Sequence, residues 1–227
     1  MAGGERVREP RRDRAALARA LRRYGEAPLV DRLFIRARAF LSDFTFIEPF
    51  VPRKGFVVDV GCGHGLFANL LCEASESRRV LGVDADPRKV GVAKLTEREG
   101  LRFELGDAIA TPPPPCDSIT ILDLLYLLPA DVQEELIASC SRALPEGRTM
   151  VVCAQEARTD PRYLIGYAQE LVATSVGVTH HPFGGFHYRS REDMVAALAR
   201  HGFVTDVVPL PRRPYTDAVY VARRVPH

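Results

Sequence analysis

The chain has 227 residues, 46% of them apolar, which suits one globular domain with additions and a core that needs no staples. Its net charge of +2 excludes a dedicated, strongly basic nucleic-acid binder. Five cysteines without a secretory leader lead us to expect a reduced, cytoplasmic protein, and the longest apolar run, Ile119 to Leu128, is too short for a transmembrane span and contains Asp123.

Charge is spread unevenly. Residues 1–24 hold eight arginines and three acids, while the remainder carries 23 basic and 26 acidic residues. Residues 1–14 read as a disordered Arg-rich tail, either solvated or open to an anionic partner such as an acidic lipid surface or RNA. Helices are expected over 15–50. Ala15–Tyr24 is rich in strong helix formers, and Gly25 and Pro28 then break the chain. Leu29–Phe44 sets Leu29, Leu33, Phe34, Ala37, Phe40, Leu41 and Phe44 on one face, with Asp31, Arg32, Arg36 and Arg38 elsewhere. That apolar face is expected to pack on its own domain or to cover a pocket as a lid. Peripheral membrane contact through residues 1–50 is the alternative.

From Lys54 onward strands and helices alternate. Strands are predicted at Gly55–Val60, Arg79–Asp84, Leu101–Leu105, Asp117–Leu122 and Arg148–Ala154, and helices at Leu66–Glu73, Pro87–Glu99 and Ala130–Leu144. The strands are apolar runs rather than alternating patterns, as expected of a parallel sheet covered on both faces. After Gln155 the rhythm changes. Asp160–Pro161 opens a helix to about Ser175, a loop rich in His, Gly and aromatic residues covers His180–Tyr188, and Ser190–His201 is a capped helix ended by Gly202. Val204–Leu210 and Ala218–Arg224 close the chain as two strands joined by a Pro-rich turn.

The most informative segment is Val57–Gly65 (V-V-D-V-G-C-G-H-G), which follows a strand and opens a helix. Its glycines permit a tight turn and close approach of a ligand to the backbone. Their spacing is G-x-G-x-G. Leu66 stands where a dinucleotide fingerprint needs its third glycine, and no P-loop lysine follows. Asp84 ends the next strand, at a distance suited to accepting ribose hydroxyls. Asp107 follows the third strand and Asp123 the fourth, with Tyr126 close behind. In an open parallel sheet these strand ends share one edge, where ligands bind.

In these segments the chain resembles the class I S-adenosylmethionine-dependent methyltransferases that act on small molecules. The resemblance runs from Asp59–Gly65 through Asp84, Gly106–Ala108, Cys116–Asp117, Ala143–Gly147 and Ser190–Phe203, covering about residues 50–224. Glu146 replaces a frequent glycine, and no N/D-P-P-Y/F motif follows the fourth strand, which argues against branches that methylate nucleic-acid or glutamine amines. The resemblance implies an α/β fold: a doubly wound, mostly parallel seven-stranded sheet with helices on both faces and an antiparallel last strand. It makes 51–227 the methyltransferase domain, with an acceptor-pocket insertion at about 156–189.

The resemblance also implies residue roles. Gly61, Cys62, Gly63 and Gly65 would wrap the methionine part of the cofactor, with Asp59 near its ammonium. Asp84 and Ala85 would take the ribose, Asp107 and Ala108 the adenine, and Leu122 would lie by the sulfonium. Asp123, Tyr126 and His187 are the candidate catalytic residues. Plainer readings stay open: Asp123 as an ammonium ligand or helix cap, Tyr126 as packing, and His64 as a loop contact through its backbone. Cys62, in a helix N-terminal loop, could carry a lowered pKa, and His180–His181 could bind a metal, but simple contact is favoured for the first and no metal is expected. The implied reaction is methyl transfer to a small or medium organic acceptor, aromatic or lipid-like, yielding S-adenosylhomocysteine. The alternatives are a non-catalytic cofactor binder and an aminopropyltransferase. Sequence-specific nucleic-acid binding is not expected, and the oligomeric state is open.

Overall fold

The computed structural model describes residues 12–155, 185–210 and 217–226. Seven strands form one sheet: β1 (Gly55–Val60), β2 (Arg78–Asp84), β3 (Leu101–Leu105), β4 (Ser118–Leu122), β5 (Thr149–Gln155), β6 (Phe203–Pro209) and β7 (Asp217–Arg224). Their order is β3-β2-β1-β4-β5-β7-β6. The pairs from β3 to β5 are parallel, and β7 is antiparallel to both β5 and β6. This is the expected mostly parallel α/β sheet with an antiparallel last strand, which the chain inserts between β5 and β6.

Alternate residues of each strand feed the two sides of the sheet. Val57, Val80 and Val151 enter one core; Val58, Leu81 and Val152 enter the other. Each such fully buried side chain contributes about 1.5–3 kcal/mol, and burial on both sides is why the strands read as continuous apolar runs. On the first face lie α4 (Leu66–Ala74) and α5 (Pro87–Lys94), together with the N-terminal helices α1 (Arg14–Arg22), α2 (Leu29–Leu41) and the short α3 (Phe44–Ile47). On the second lie α6 (Ala130–Ala143) and α7 (Arg191–Arg200).

Several boundaries differ from expectation. The predicted tail is ordered from Arg12: Arg12 pairs with Asp43 at 2.7 Å, and the Asp13 side chain accepts the Ala16 N–H and so caps α1. Residues 1–11 lie outside the described residues, as do the predicted 160–175 helix, His180, His181 and the turn at 211–216. The single predicted helix Leu29–Phe44 breaks at Ser42, whose backbone is extended, and restarts as α3. Helix α5 stops at Lys94, five residues early, because the next residues bond elsewhere: the Thr96 hydroxyl donates to Ala93 O, and Glu97 accepts the Phe103 N–H of β3.

The orientation of α2 is the largest correction. Its inward residues are Asp31 and Ile35, whereas Leu29, Leu33, Phe40 and Leu41 are exposed. On the inward side Ile35 is buried, Asp31 pairs with Arg88 at 3.1 Å and lies 3.4 Å from His64, and Arg38 pairs with Asp123 at 2.9 Å.

A buried arginine ties the N-terminal segment to the sheet. Arg78 donates to Glu48 at 2.7 Å and to the carbonyls of Val51, Pro52 and Leu71. With Glu48 it forms a buried ion pair; the three carbonyl contacts of Arg78 help to offset the cost of burying its charge, while Glu48 Oε2 has Arg53 at 3.6 Å. None of the five cysteines forms a disulfide.

Candidate functional site

The strand order reverses between β1 and β4, and the crevice at the carboxyl edge there is where open α/β sheets bind ligands. A cavity of about 650 Å³ occupies it. Its walls include Asp59 near the end of β1 with Gly61, Cys62 and Gly63 after it, Asp84 at the end of β2 with Ala85 after it, Asp107 and Ala108 after β3, and Leu122 at the end of β4 with Asp123 and Tyr126 after it.

The glycine loop is fixed by backbone geometry. Gly61 has φ +71°, and a Cβ there would stand 2.7 Å from Leu124, so the turn needs glycine at this point. The N–H groups of Gly61 and Cys62 both reach the Val83 carbonyl, seating the loop on the end of β2. Asp84 then acts as a clasp: one carboxylate oxygen accepts the Gly63 N–H at 2.7 Å and the other the Asp86 N–H at 2.9 Å. Each oxygen keeps a lone pair for a further donor. Behind the loop, the Tyr24 hydroxyl of the α1–α2 connection donates to the His64 carbonyl, so the N-terminal segment holds the loop in place.

Gly65 stands apart from the other predicted loop residues. It does not line the cavity, and a Cβ there would lie 2.4 Å from the Phe103 ring. It lets α4 start hard against β3.

Asp59 is fully buried. Its Oδ1 accepts the Thr120 hydroxyl, while Oδ2 makes no hydrogen bond of ordinary geometry among the described residues. Burial pushes the carboxyl up to about 7. The negative Asp84 adds to the rise, and the Thr120 hydroxyl and Ala68 amide oppose it. Burial also raises the Cys62 thiol, with Asp59 and Asp84 adding to it, so the lowered pKa considered for this cysteine is overturned. Burial lowers the His64 imidazole, against the opposing pull of Asp31.

The remaining side of the cavity is built from the end of β4 and from α2. Asp123 has φ +54°, a left-handed conformation uncommon for a non-glycine residue. Its carboxylate accepts from Arg38 of α2 and does not cap a helix. Tyr126 is buried, stacks on Tyr188 with ring centroids 5.4 Å apart, and meets Phe186 at 6.3 Å. His187 does not line the cavity; its backbone N–H donates to the Tyr126 carbonyl at 2.7 Å, which anchors the incoming segment beside that residue. Its Nε2 is buried without a partner among the described residues.

Phe34, Ile35 and Arg38 of α2 and Phe44 of α3 line the cavity. Phe34 and Phe44 belong to the apolar face expected to pack inward or cover a pocket, whereas Ile35 and Arg38 stood outside that face. Lys89 of α5 also lines the cavity and carried no signal in the sequence. Among the described residues no group of three or more His, Cys, Asp or Glu side chains is placed to hold a metal ion, and no helix is long and apolar enough to cross a membrane.

Residues 57–147 match the family described as a methyltransferase domain. No curated protein matches the chain. Among solved structures it is similar to the S-adenosylmethionine-dependent methyltransferase SibL in its apo form, at 22% identity and TM-score 0.65, over 91% of this chain and 62% of that one. It is similar to the pyocyanin biosynthetic protein PhzM, at 21% identity and TM-score 0.60, over 92% and 62%. A third likeness is an O-methyltransferase family 2 protein from Planctomyces limnophilus in complex with apigenin, at 18% identity and TM-score 0.63, over 93% and 65%. The chain thus spans a little under two thirds of each of these proteins. The likenesses establish the Rossmann-like methyltransferase fold, and the sequence match places a methyltransferase domain on it.

Proposed function

We propose that this chain, whose residues 57–147 match a methyltransferase domain, transfers the methyl group of S-adenosylmethionine to a small or medium organic acceptor and releases S-adenosylhomocysteine. The observation that carries the reading is the convergence of the glycine loop, Asp59, Asp84 and Asp107 on one cavity at the strand-order reversal. The residues fit the cofactor. The orphaned buried Oδ2 of Asp59 suits an ammonium, and the spare lone pairs of Asp84 suit ribose hydroxyls. Asp107 suits the adenine amine, and Ala108 and Leu122 offer apolar surface. Gly61, Cys62, Gly63 and Ala85 would follow the ligand with their backbone.

The bound sulfonium supplies its own activation of the methyl group. What remains for the chain is alignment and exclusion of water. The acceptor atom must be held about 3–3.5 Å from the methyl carbon, in line with the breaking bond. Phe34, Ile35 and Phe44 cover the cavity from the N-terminal side, so α2 and α3 serve as its lid. Asp123 and Tyr126 face the acceptor, and a base at Asp123 would remove a proton from an acceptor that holds one tightly. His187 positions Tyr126 rather than touching the acceptor. The aromatic character of this wall favours an aromatic or lipid-like acceptor.

The test is thermal unfolding with S-adenosylmethionine, S-adenosylhomocysteine and NADH, for wild type and Asp84→Ala. Ligand at 100 times its Kd adds about 2.7 kcal/mol, a midpoint rise of roughly 5–10 °C for a chain of this size. The S-adenosyl ligands alone should raise the wild-type midpoint, and Asp84→Ala should respond less from its own baseline. Transfer of labelled methyl groups to a panel of phenols, acids and lipids then identifies the acceptor. No rise with either S-adenosyl ligand would overturn the proposal, and a rise without turnover on any acceptor would favour a non-catalytic binder.

A further inference from the structure

We infer that the outward face of α2 docks on an anionic lipid surface. On this helix the usual distribution is inverted. Its sole acid, Asp31, is buried and ion-paired with Arg88, and Arg38 turns inward to Asp123. Its large apolar side chains point to solvent: Leu29 is 63% exposed, Leu33 56% and Phe40 90%. These three lie on one stripe at i, i+4 and i+11, with Val30, 68% exposed, beside it. A surface helix normally buries such a stripe, and a contiguous exposed one marks an interaction site.

Charge selects the occupant. Arg32 and Arg36 flank the stripe, and Arg14 and Arg22 lie on neighbouring α1; none of the four enters an ion pair among the described residues. An apolar stripe bordered by arginines is the pattern of a helix lying in a membrane interface, where the stripe enters the acyl boundary and the cations meet anionic headgroups. A second copy fits less well. A two-fold contact would bring Arg32 and Arg36 of both copies into one interface with no exposed acid on α2 to pair them. The docking does not rest on the methyl-transfer reading, but its geometry bears on it: the other side of α2 lines the cavity, so the cavity would sit next to the bilayer.

The experiment is flotation of the full chain with vesicles of phosphatidylcholine alone or mixed with phosphatidylglycerol. The variants are Leu33→Gln/Phe40→Gln and Arg32→Gln/Arg36→Gln. Wild type should float with the mixed vesicles only, and less so at high salt. Each double variant should lose about tenfold or more of its vesicle affinity while keeping the wild-type unfolding midpoint and its response to S-adenosylhomocysteine. Equal binding to neutral vesicles, no binding to either, or full binding by Leu33→Gln/Phe40→Gln would each overturn the inference. So would a wild-type dimer in sedimentation that the Leu33→Gln/Phe40→Gln variant dissolves, since a second copy would then own the face.

Discussion

Asp59 offers the sharpest test of how the site works, because no cation pairs with its carboxylate among the described residues. The carboxyl is buried and its pKa stands at about 7 in place of 3.8. The folded state therefore holds the proton more tightly than the unfolded state. The sign follows: the stability linked to this group is fully present below pH 3.8 and is lost as pH rises through about 7. A shift of roughly three units corresponds to about 4 kcal/mol over that window. Asp59→Asn keeps an oxygen to accept the Thr120 hydroxyl but cannot ionise. Subtracting its urea-derived stability from that of wild type at each pH cancels the other titrating groups. The difference should move against wild type by about 4 kcal/mol from pH 4 to pH 8. Ligand binding should run the opposite way. If the cofactor ammonium pairs with ionised Asp59, wild-type affinity for S-adenosylhomocysteine rises about fifteenfold from pH 5.5 to 7, as the ionised fraction rises. The variant should bind more weakly, with no such dependence. Parallel stability curves for the two proteins, or a flat wild-type affinity, would refute the assignment of a buried, titrating, ligand-facing carboxyl.

The remaining predictions concern the supports of the site. Gly65→Ala forces a left-handed φ of +77° on alanine and drives its Cβ to 2.4 Å from Phe103; it should cost about 3 kcal/mol, read as a fall of roughly 6–12 °C in Tm. Arg78→Met leaves the Glu48 carboxylate buried with only Arg53 nearby, at 3.6 Å, and should cost about 3–5 kcal/mol in urea unfolding. Adding Glu48→Gln should recover part of that loss, and no recovery would mean that the three carbonyl contacts of Arg78 dominate. Arg38→Gln breaks the partly exposed pair with Asp123, so unfolding should change by less than about 1 kcal/mol, while methyl transfer to the acceptor found in the panel should fall about tenfold, tracking the loss of Asp123 alignment. Asp123→Asn should lower kcat about 10²-fold if this carboxylate is the base; an unchanged pH profile and rate would return it to an ammonium-binding or purely positional role.

The sequence by itself determined the sheet. Apolar runs such as Gly55–Val60 and Ser118–Leu122 admit burial on both faces and little else, and their alternation with helices sets parallel pairing. It also determined the ligand edge, because strand ends in such a sheet meet at one side and the carboxylates at 59, 84, 107 and 123 lie at or just beyond those ends. Local rules sufficed in each case. Tertiary structure decided what those rules leave free. Periodicity states which residues of α2 share a face but not which face turns inward. That choice rests on the burial of Ile35 and on Asp31 and Arg38, whose partners Arg88 and Asp123 lie 57 and 85 residues away along the chain. The same holds for Gly65, which looks like its neighbours in sequence yet faces Phe103 rather than the cavity, and for Arg78, which stands just before the predicted strand, carried no signal in the sequence and is wholly buried. A pattern in sequence encodes a direction relative to the helix or strand axis. Only long-range contacts fix how that axis is turned, and here the burial of Ile35 and the pairs made by Asp31 and Arg38 act together.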